Sequence, residues 1–461
     1  MKTALLFTLS SIILLVACKK DSFITSPDAI ISISADTLHY DTVFTEVGSV
    51  TQSFKIINNN NQKLMLSSVR LMGGATSPYK MNVDGIATPE ANGIEIAAND
   101  SVYVFVQVNV DPAASNIPFI IRDSIQITFN GSDRLVQLEA WGQNAHFLRD
   151  EVISTDVTWT NDLPYVIQGY LYVDDGQVLT IEKGCRIYVH ADAPIVVDGT
   201  LKVKGEKDTI DRVYFRGDRL DEPYKDFPAA WPGIYFRAPS RDNVLTYAVI
   251  KNSYQAIAVE DPSPNANVKL TLNECVIDNS YDAGIIALNS NIVATNCQIS
   301  NCGKNIAVVR GGSYSFTHCT VASYSNNYIQ HNAPVLTVSN TDGTNTASLN
   351  ALFRNCIFWG ENGLVEDEVV VVKSGSDVVN FDYNLWKVKN TPEGIISNNI
   401  INDQPPQFDS IDVAKHFYDF RLNKKNSPAV DAGTNTTIIL DLDGNPRQAG
   451  LKPDLGCFEK Q

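Results

Sequence analysis

LNECVI at residues 272–277, TNCQIS at 295–300 and THCTV at 317–321 carry one pattern three times. Cys275, Cys297 and Cys319 are spaced by 22 residues, with Ile277, Ile299 and Val321 two positions on and Asn279 and Asn301 two positions further. Apolar residues two apart, followed by Asn, describe a short strand ending in a turn, and a fixed interval of this length marks one coil of a solenoid. Between the repeats lie further short strands, AGIIAL and NIAVVRG, and no amphipathic segment of helical period. The pattern predicts a parallel β-helix in which each inward residue meets its equivalent in the next coil about 4.8 Å away. Cys275, Cys297, Cys319 and Cys356 then form one inward column of small apolar side chains. Asn at the turn tolerates a left-handed backbone, and its amide can bond the Asn of the coils above and below.

The register extends both ways. TYAVIKN places Ala248, Ile250 and Asn252 in the same positions, and RNCIFW does so with Cys356 and Phe358, 37 residues after Cys319. The surplus length is assigned to a loop, SNTDGTNTAS, leaving one wall. Upstream, residues 28–144 read as many short strands with turn residues about every ten positions, the spacing of a β-sandwich. His146 to Asp162 reads as a junction. The fold class expected is all-β: an immunoglobulin-like sandwich, then a right-handed parallel β-helix over 157–388 and a cap over 389–461 that covers the open end of the solenoid.

A net charge of −16, with no basic cluster beyond Lys19–Lys20, argues against nucleic acid as a partner. Residues 1–17 read as a signal peptide: Lys2, then an apolar run from Ala4 to Ala17 too short to span a bilayer comfortably. The run ends Leu15-Val16-Ala17-Cys18, which resembles a bacterial lipobox. That resemblance implies cleavage before Cys18, lipid on its sulfur, a flexible tether over 18–27, and membrane attachment at the bacterial outer membrane, on its periplasmic or cell-surface face. The remaining seven cysteines show no metal-ligand spacing and are expected to be buried free thiols.

Three further resemblances follow. FKIINNNNQKL and AANDSVYVFVQVNVDP with DSIQITFNGSDRLVQLEAWG resemble the sandwich domains of abnormal-spindle-like and choice-of-anchor proteins. LTIEKGCRIYV followed by IVVDGTLKVKG, with GDRLDEPYKDFPAAWPGIYFRAPSRDNVLTYAVIKNS, resembles the opening coils of secreted β-helix repeat lipoproteins of the pectin-lyase-like fold. SPAVDAG at 427–433 and Asp441-x-Asp443-Gly444-x-x-Arg447 resemble the terminal segment called choice-of-anchor Q.

The stretch 217–242 gathers aromatic rings, arginines and carboxylates, the residue types that grip a sugar. Arg219, Asp221, Tyr224, Trp231, Arg237 and Arg241 are the candidate ligand-binding residues, with Trp231 as a stacking platform. The bland alternative has the loop packing its aromatics, Trp231 tucked between Pro228 and Pro232. Asp441 and Asp443 are weak calcium candidates, since hard oxygens suit that ion; a turn role is the simpler one, and no other cofactor is implied. The histidines form no ligand pair, and His318, next to inward Cys319, is expected to face solvent. The N-x-D…D-D…G-H-G…R-x-K set of polygalacturonases is missing, as are the serine-hydrolase elbow and the phosphate loop. No catalytic residue is assigned. The expected function is an envelope-anchored scaffold binding polysaccharide or a surface protein; a polysaccharide lyase or glycoside hydrolase and a structural spacer are the alternatives.

Overall fold

The computed structural model describes residues 22–44, 49–110, 119–422 and 426–461. Cys18, its lipidation and the signal peptide lie outside these residues. The chain divides into two compact units, 1–144 and 145–461.

The first unit is a sandwich of two five-stranded sheets. One runs Ile31–Ile33, Gln52–Asn58, Ser101–Val108, Tyr79–Val83, Ile86–Ala87; the other runs Thr37–Phe44, Ser132–Gln143, Phe119–Phe129, Leu64–Leu71, Glu90–Ile96. Strict alternation builds the core: in SVYVFVQV, Val102, Val104, Val106 and Val108 are buried and the residues between them are not. Residues 22–27, expected to be a loose tether, are held to the sandwich: Ile24 donates to Lys63 and Asn130 Nδ2 donates to Ile24 and Ser26.

The second unit is a parallel β-helix with three walls. The first wall contains Arg186–Val189, Val276–Asp278, Gln298–Ser300 and their equivalents. The second contains Ile195–Val197, Ile234–Phe236 and Gln255–Glu260, and the third Thr200–Lys204, Asn243–Thr246 and Leu270–Asn273. The helix starts earlier than the sequence suggested. His146–Ile153, which precedes the expected start at 157, pairs with Tyr165–Val173, and Val157–Trp159 pairs with Val178–Glu182, as the first coil. Alternation is weak there, because the outward positions of a terminal coil carry little apolar signal.

The inward column is as expected. Val276 pairs with Gln298, Gln298 with Thr320 and Thr320 with Ile357, so the preceding residues, Cys275, Cys297, Cys319 and Cys356, stack in successive coils, all fully buried. Each thiol points to carbonyls of its own and the preceding coil, Cys297 to Thr295 and Leu272 at 3.3 and 3.6 Å. Burial pushes the thiols of Cys275, Cys297 and Cys319 up in pKa. All seven cysteines described are buried and free. The surplus between Cys319 and Cys356 is split: residues 325–335 leave the corner between the first and second walls, and 340–348 leave the corner between the second and third.

The tail expected to cover the end of the solenoid lies along its flank. Ile395 and Ile400 do pack on the end of the core. From Phe408 onward the chain runs back over the first wall, where Phe420, Leu422, Ala429, Leu455 and Phe458 cover outward Val249, Val276, Ala322, Ile357 and Leu385. An outward apolar residue on a wall needs cover as much as an open end does.

Candidate functional site

The site is built at the corner between the first and second walls, from the left-handed Asn residues upward. Asn252, Asn279 and Asn301 have φ of 62°, 59° and 52° and follow three stacked strands of the first wall. Asn279 Nδ2 donates to Asn252 Oδ1 at 2.8 Å. The stack also holds the excursion at residues 218–233. Asn252 Nδ2 donates to the Lys225 carbonyl at 2.7 Å and Asn279 Nδ2 to that of Asp226 at 2.9 Å. Asn301 turns instead to Asp278, 3.2 Å away. Backbone bonds from Ala229 and Ala230 to Ser253 and Asn252 complete the seam. The excursion re-enters the second wall at Gly233, φ 133°, where a β-carbon would meet the Gln255 carbonyl at 1.6 Å; only glycine fits.

This docking leaves a row of rings outside. The Arg219 guanidinium lies 4.0 Å from the Tyr224 ring centre. Tyr224 packs on Phe227 at 5.2 Å, Phe227 on Tyr328 at 4.9 Å, and Tyr328 stacks on His416 at 4.7 Å and 14°. The row therefore draws on the excursion, the loop at 325–335 and the tail. The loop is rigidly held. His331 and Glu368, both buried, are joined at 2.8 Å, the second Glu368 oxygen accepts from Val335, and Asn326 Oδ1 accepts from Tyr328 and Ile329.

Beside the row opens a polar cavity of about 130 Å3. Asp226, Asn252, Asn279, Asn326, His416 and Tyr418 are among its walls. Its charges are mixed: Lys251 pairs with Asp278 at 3.2 Å and Lys415 with Asp412 at 3.1 Å. The Tyr418 hydroxyl is buried, and no group among the described residues is placed to accept its hydrogen; the Asn326 side chain beside it acts to lower its pKa. Burial raises the Tyr418 pKa, so the hydroxyl stays a donor at neutral pH.

The sequence candidates are divided by this geometry. Arg219, Asp221 and Tyr224 lie at this corner, Arg219 and Asp221 as a bidentate pair at 2.7 and 2.8 Å. Trp231 does not. It is wholly buried in the helix core, its Nε1 donating to the Lys251 carbonyl at 2.9 Å. A ligand cannot reach it, because the ring fills the interior where the excursion rejoins the coil. Arg237 and Arg241 lie across the second wall, at its other corner. Arg237 forms a forked pair with Asp198 and stacks 5.4 Å from the Tyr172 ring centre; Arg241 pairs with Asp175 at 3.1 Å.

Asp441 accepts from the backbone amides of Asp443, Asn445 and Glu459, and Asp443 pairs with Arg421 at 2.7 Å. These are turn and ion-pair roles; among the described residues no group of three or more His, Cys, Asp and Glu is placed to hold a metal. His190 Nδ1 lies 2.7 Å from buried Asp218. Burial raises the Asp218 carboxyl and His190 opposes the rise.

Tyr328, His416 and Tyr418 escaped sequence reading. The one available signal was the surplus of length before Cys356, which includes SNNYIQHNAP at 325–334.

Comparison with known proteins bears on the fold. The family of right-handed beta helix regions matches residues 165–321. Among solved structures, a thermostable family 87 α-1,3-glucanase catalytic unit from Streptomyces thermodiastaticus is 9% identical, with a TM-score of 0.26, over 76% of this chain and 89% of that one. A family 123 glycoside hydrolase from Clostridium perfringens and a Salmonella enterica pilin–chaperone complex, SafA with SafB, are each 10% identical over 26% of this chain, with TM-scores of 0.19 and 0.18. This chain spans 30% of the hydrolase chain and 57% of the pilin–chaperone chain. No curated protein matches. The matched residues include Cys275, Cys297 and Cys319 of the column and the excursion, and the chain there has the right-handed β-helix fold.

Proposed function

We propose that this protein is a glycan-binding scaffold, anchored to a bacterial outer membrane by lipid on Cys18, with its sugar site at the corner between the first and second walls. The observation that carries the reading is the orphan Tyr418 hydroxyl in a polar cavity beside a row of rings. A buried donor without a partner is costly unless a ligand supplies the acceptor. Rings stack on the apolar face of a pyranose, and mixed Asn, Asp and Lys groups bond its hydroxyls. The cavity is too small to enclose a sugar. It fits the hydroxyl edge of one residue while the chain runs on over the rings.

A glycan array probed with the full chain, followed by titration of the strongest binder, tests this. Tyr328→Ala is expected to weaken binding by ~2 kcal/mol, about thirtyfold, as loss of an aromatic anchor does. The thermal midpoint of the helix unit should hold, because Tyr328 is only half-buried. Binding unchanged by Tyr328→Ala, or no binder at all, would remove the corner site.

A further inference from the structure

The outer face of the sandwich carries an aromatic pair and a cavity of its own. Alternation in SVYVFVQV leaves Tyr103 and Phe105 on the outer face of their sheet, 43% and 41% exposed. Their rings stack at 5.6 Å and 12°, and the Lys55 ammonium lies 4.7 Å from the Tyr103 ring centre. Tyr103 therefore covers one side of Phe105. Phe105, without Tyr103, also lines an open cavity of about 300 Å3 together with Gln107, Thr51, Lys80, Met81 and Asn82. Pairing sets Asn82 opposite Phe105 and Lys80 opposite Gln107, so the polar groups flank the ring. Asn82 Oδ1 is buried and has no hydrogen-bond partner among the described residues.

An exposed aromatic face and an orphan acceptor both invite a ligand, and Phe105 and Asn82 meet in one cavity. We propose that this cavity binds a pyranose residue of a glycan, its apolar face on Phe105 and one of its hydroxyls donating to Asn82 Oδ1. The chemistry of the acceptor selects the ligand. A wholly apolar molecule would leave Oδ1 unpaired, and a carboxylate or fully ionised phosphate has no hydrogen to give it. A sugar ring supplies both the donor and the apolar face. Lys80 and Gln107 at the rim add polar contacts to further hydroxyls. Two separated sites on one chain raise retention on a polymer through effective concentration, where each site alone is weak.

The test is affinity electrophoresis of the full chain through gels containing laminarin, xylan, galactomannan, dextran or polygalacturonate. At least one of the four neutral polysaccharides should slow the wild type. Phe105→Ala and Asn82→Ala should each reduce the apparent affinity for it at least tenfold, while Tyr328→Ala leaves a retardation that Phe105→Ala then abolishes. Asn82→Ala should also leave the sandwich melting temperature unchanged or higher, because it deletes a buried acceptor that no described residue satisfies. The proposal is overturned if no polysaccharide slows the wild type, if retardation is indifferent to Phe105 and Asn82, if only polygalacturonate is retained, or if Asn82→Ala lowers the melting temperature. Retardation lost in Tyr328→Ala but not in Phe105→Ala removes this site and leaves the corner; the converse removes the corner and leaves this site.

Discussion

Two corners of the β-helix start from the same device and end differently. After the first wall, Asn252, Asn279 and Asn301 turn the chain in the left-handed region. Before the first wall, Asn296, His318 and Asn355 do the same, with φ of 52°, 53° and 54°. At the first of these corners the Asn amides hold an excursion at its backbone, and the excursion's rings and a polar cavity stay open. At the other, the tail engages Asn296 and Asn355 and covers His318, whose Nδ1 alone of these turn side chains is left buried without a partner among the described residues. Arg447, buried, donates to Asn296 Oδ1 and the Gly456 carbonyl and lies 3.4 Å from Glu459. Asn355 exchanges two bonds with Thr434, its amide donating to the Thr434 carbonyl and its Oδ1 accepting from the Thr434 amide. Stacked turn residues are thus a generic set of hooks. What hangs on them decides whether a corner stays open or seals a flank.

The wall between the corners is the element they share, so the largest effect should come from breaking it. Cys297→Asp would place a carboxylate in the fully buried column and cost about 4 kcal/mol or more. The helix unit should melt far below the wild type and lose binding with it. A variant that melts like the wild type would mean that the column does not face inward, and both corners would need rebuilding.

Arg447→Ala separates the corners. Removing the buried guanidinium leaves Asn296 Oδ1, the Gly456 carbonyl and Glu459 without this donor, a loss of about 3 kcal/mol. The midpoint of the helix unit should fall. Glycan binding at the open corner should stay within threefold of the wild type, because the segment bearing His416 and Tyr418 is held by Phe408 and Phe420 in the flank cluster. If binding is lost together with stability, the tail acts as one body and the two corners are not independent.

The interior was legible because it repeats. Successive coils restate a small residue and a larger apolar one at fixed offsets, with Asn following in three of them, and parallel stacking leaves one register that keeps them aligned. The outside was not. Trp231, between two prolines and among arginines, has the composition of a sugar platform; only its place where the excursion rejoins the coil shows that it fills the core. Arg219 and Arg237 are near in sequence yet lie at opposite corners, because Ile234–Phe236 crosses a whole wall between them. In the sequence that strand is marked only by Ile234 and Phe236 flanking Tyr235, too short a run to stand out from the surrounding stretch 217–242. His318 shows the same limit from the other side. Alternation gave the correct face, outward, and the tail then covered it completely.

His318 supplies the finest discrimination between a sealed corner and an open one. Asn355 Oδ1 accepts from the backbone amide of Thr434, so Asn355 Nδ2 must face His318 Nε2, 2.9 Å away. Nε2 is therefore an acceptor, and the ring is neutral. Protonation would set a donor against a donor inside a buried contact. Burial, and secondarily the charge of Arg447, hold the His318 pKa down to about 2. The unfolded chain takes up that proton near pH 6.5. Between these values the unfolded state binds one more proton than the folded state, so the contribution of His318 is full above pH 6.5 and is lost as pH falls toward 2. At pH 5 the loss amounts to about 2 kcal/mol. Burial raises Glu459 and Asp454 in the same cluster, with Arg447 opposing, and their contribution has the opposite sign. Comparison with His318→Asn cancels it, since both chains keep these groups and Asn suits the left-handed position. The stability advantage of the wild type over His318→Asn should therefore shrink by about 2 kcal/mol between pH 7 and pH 5, read from the urea midpoint of the helix unit. An advantage that stays constant over that range would mean that water reaches the ring, and that this corner is open after all.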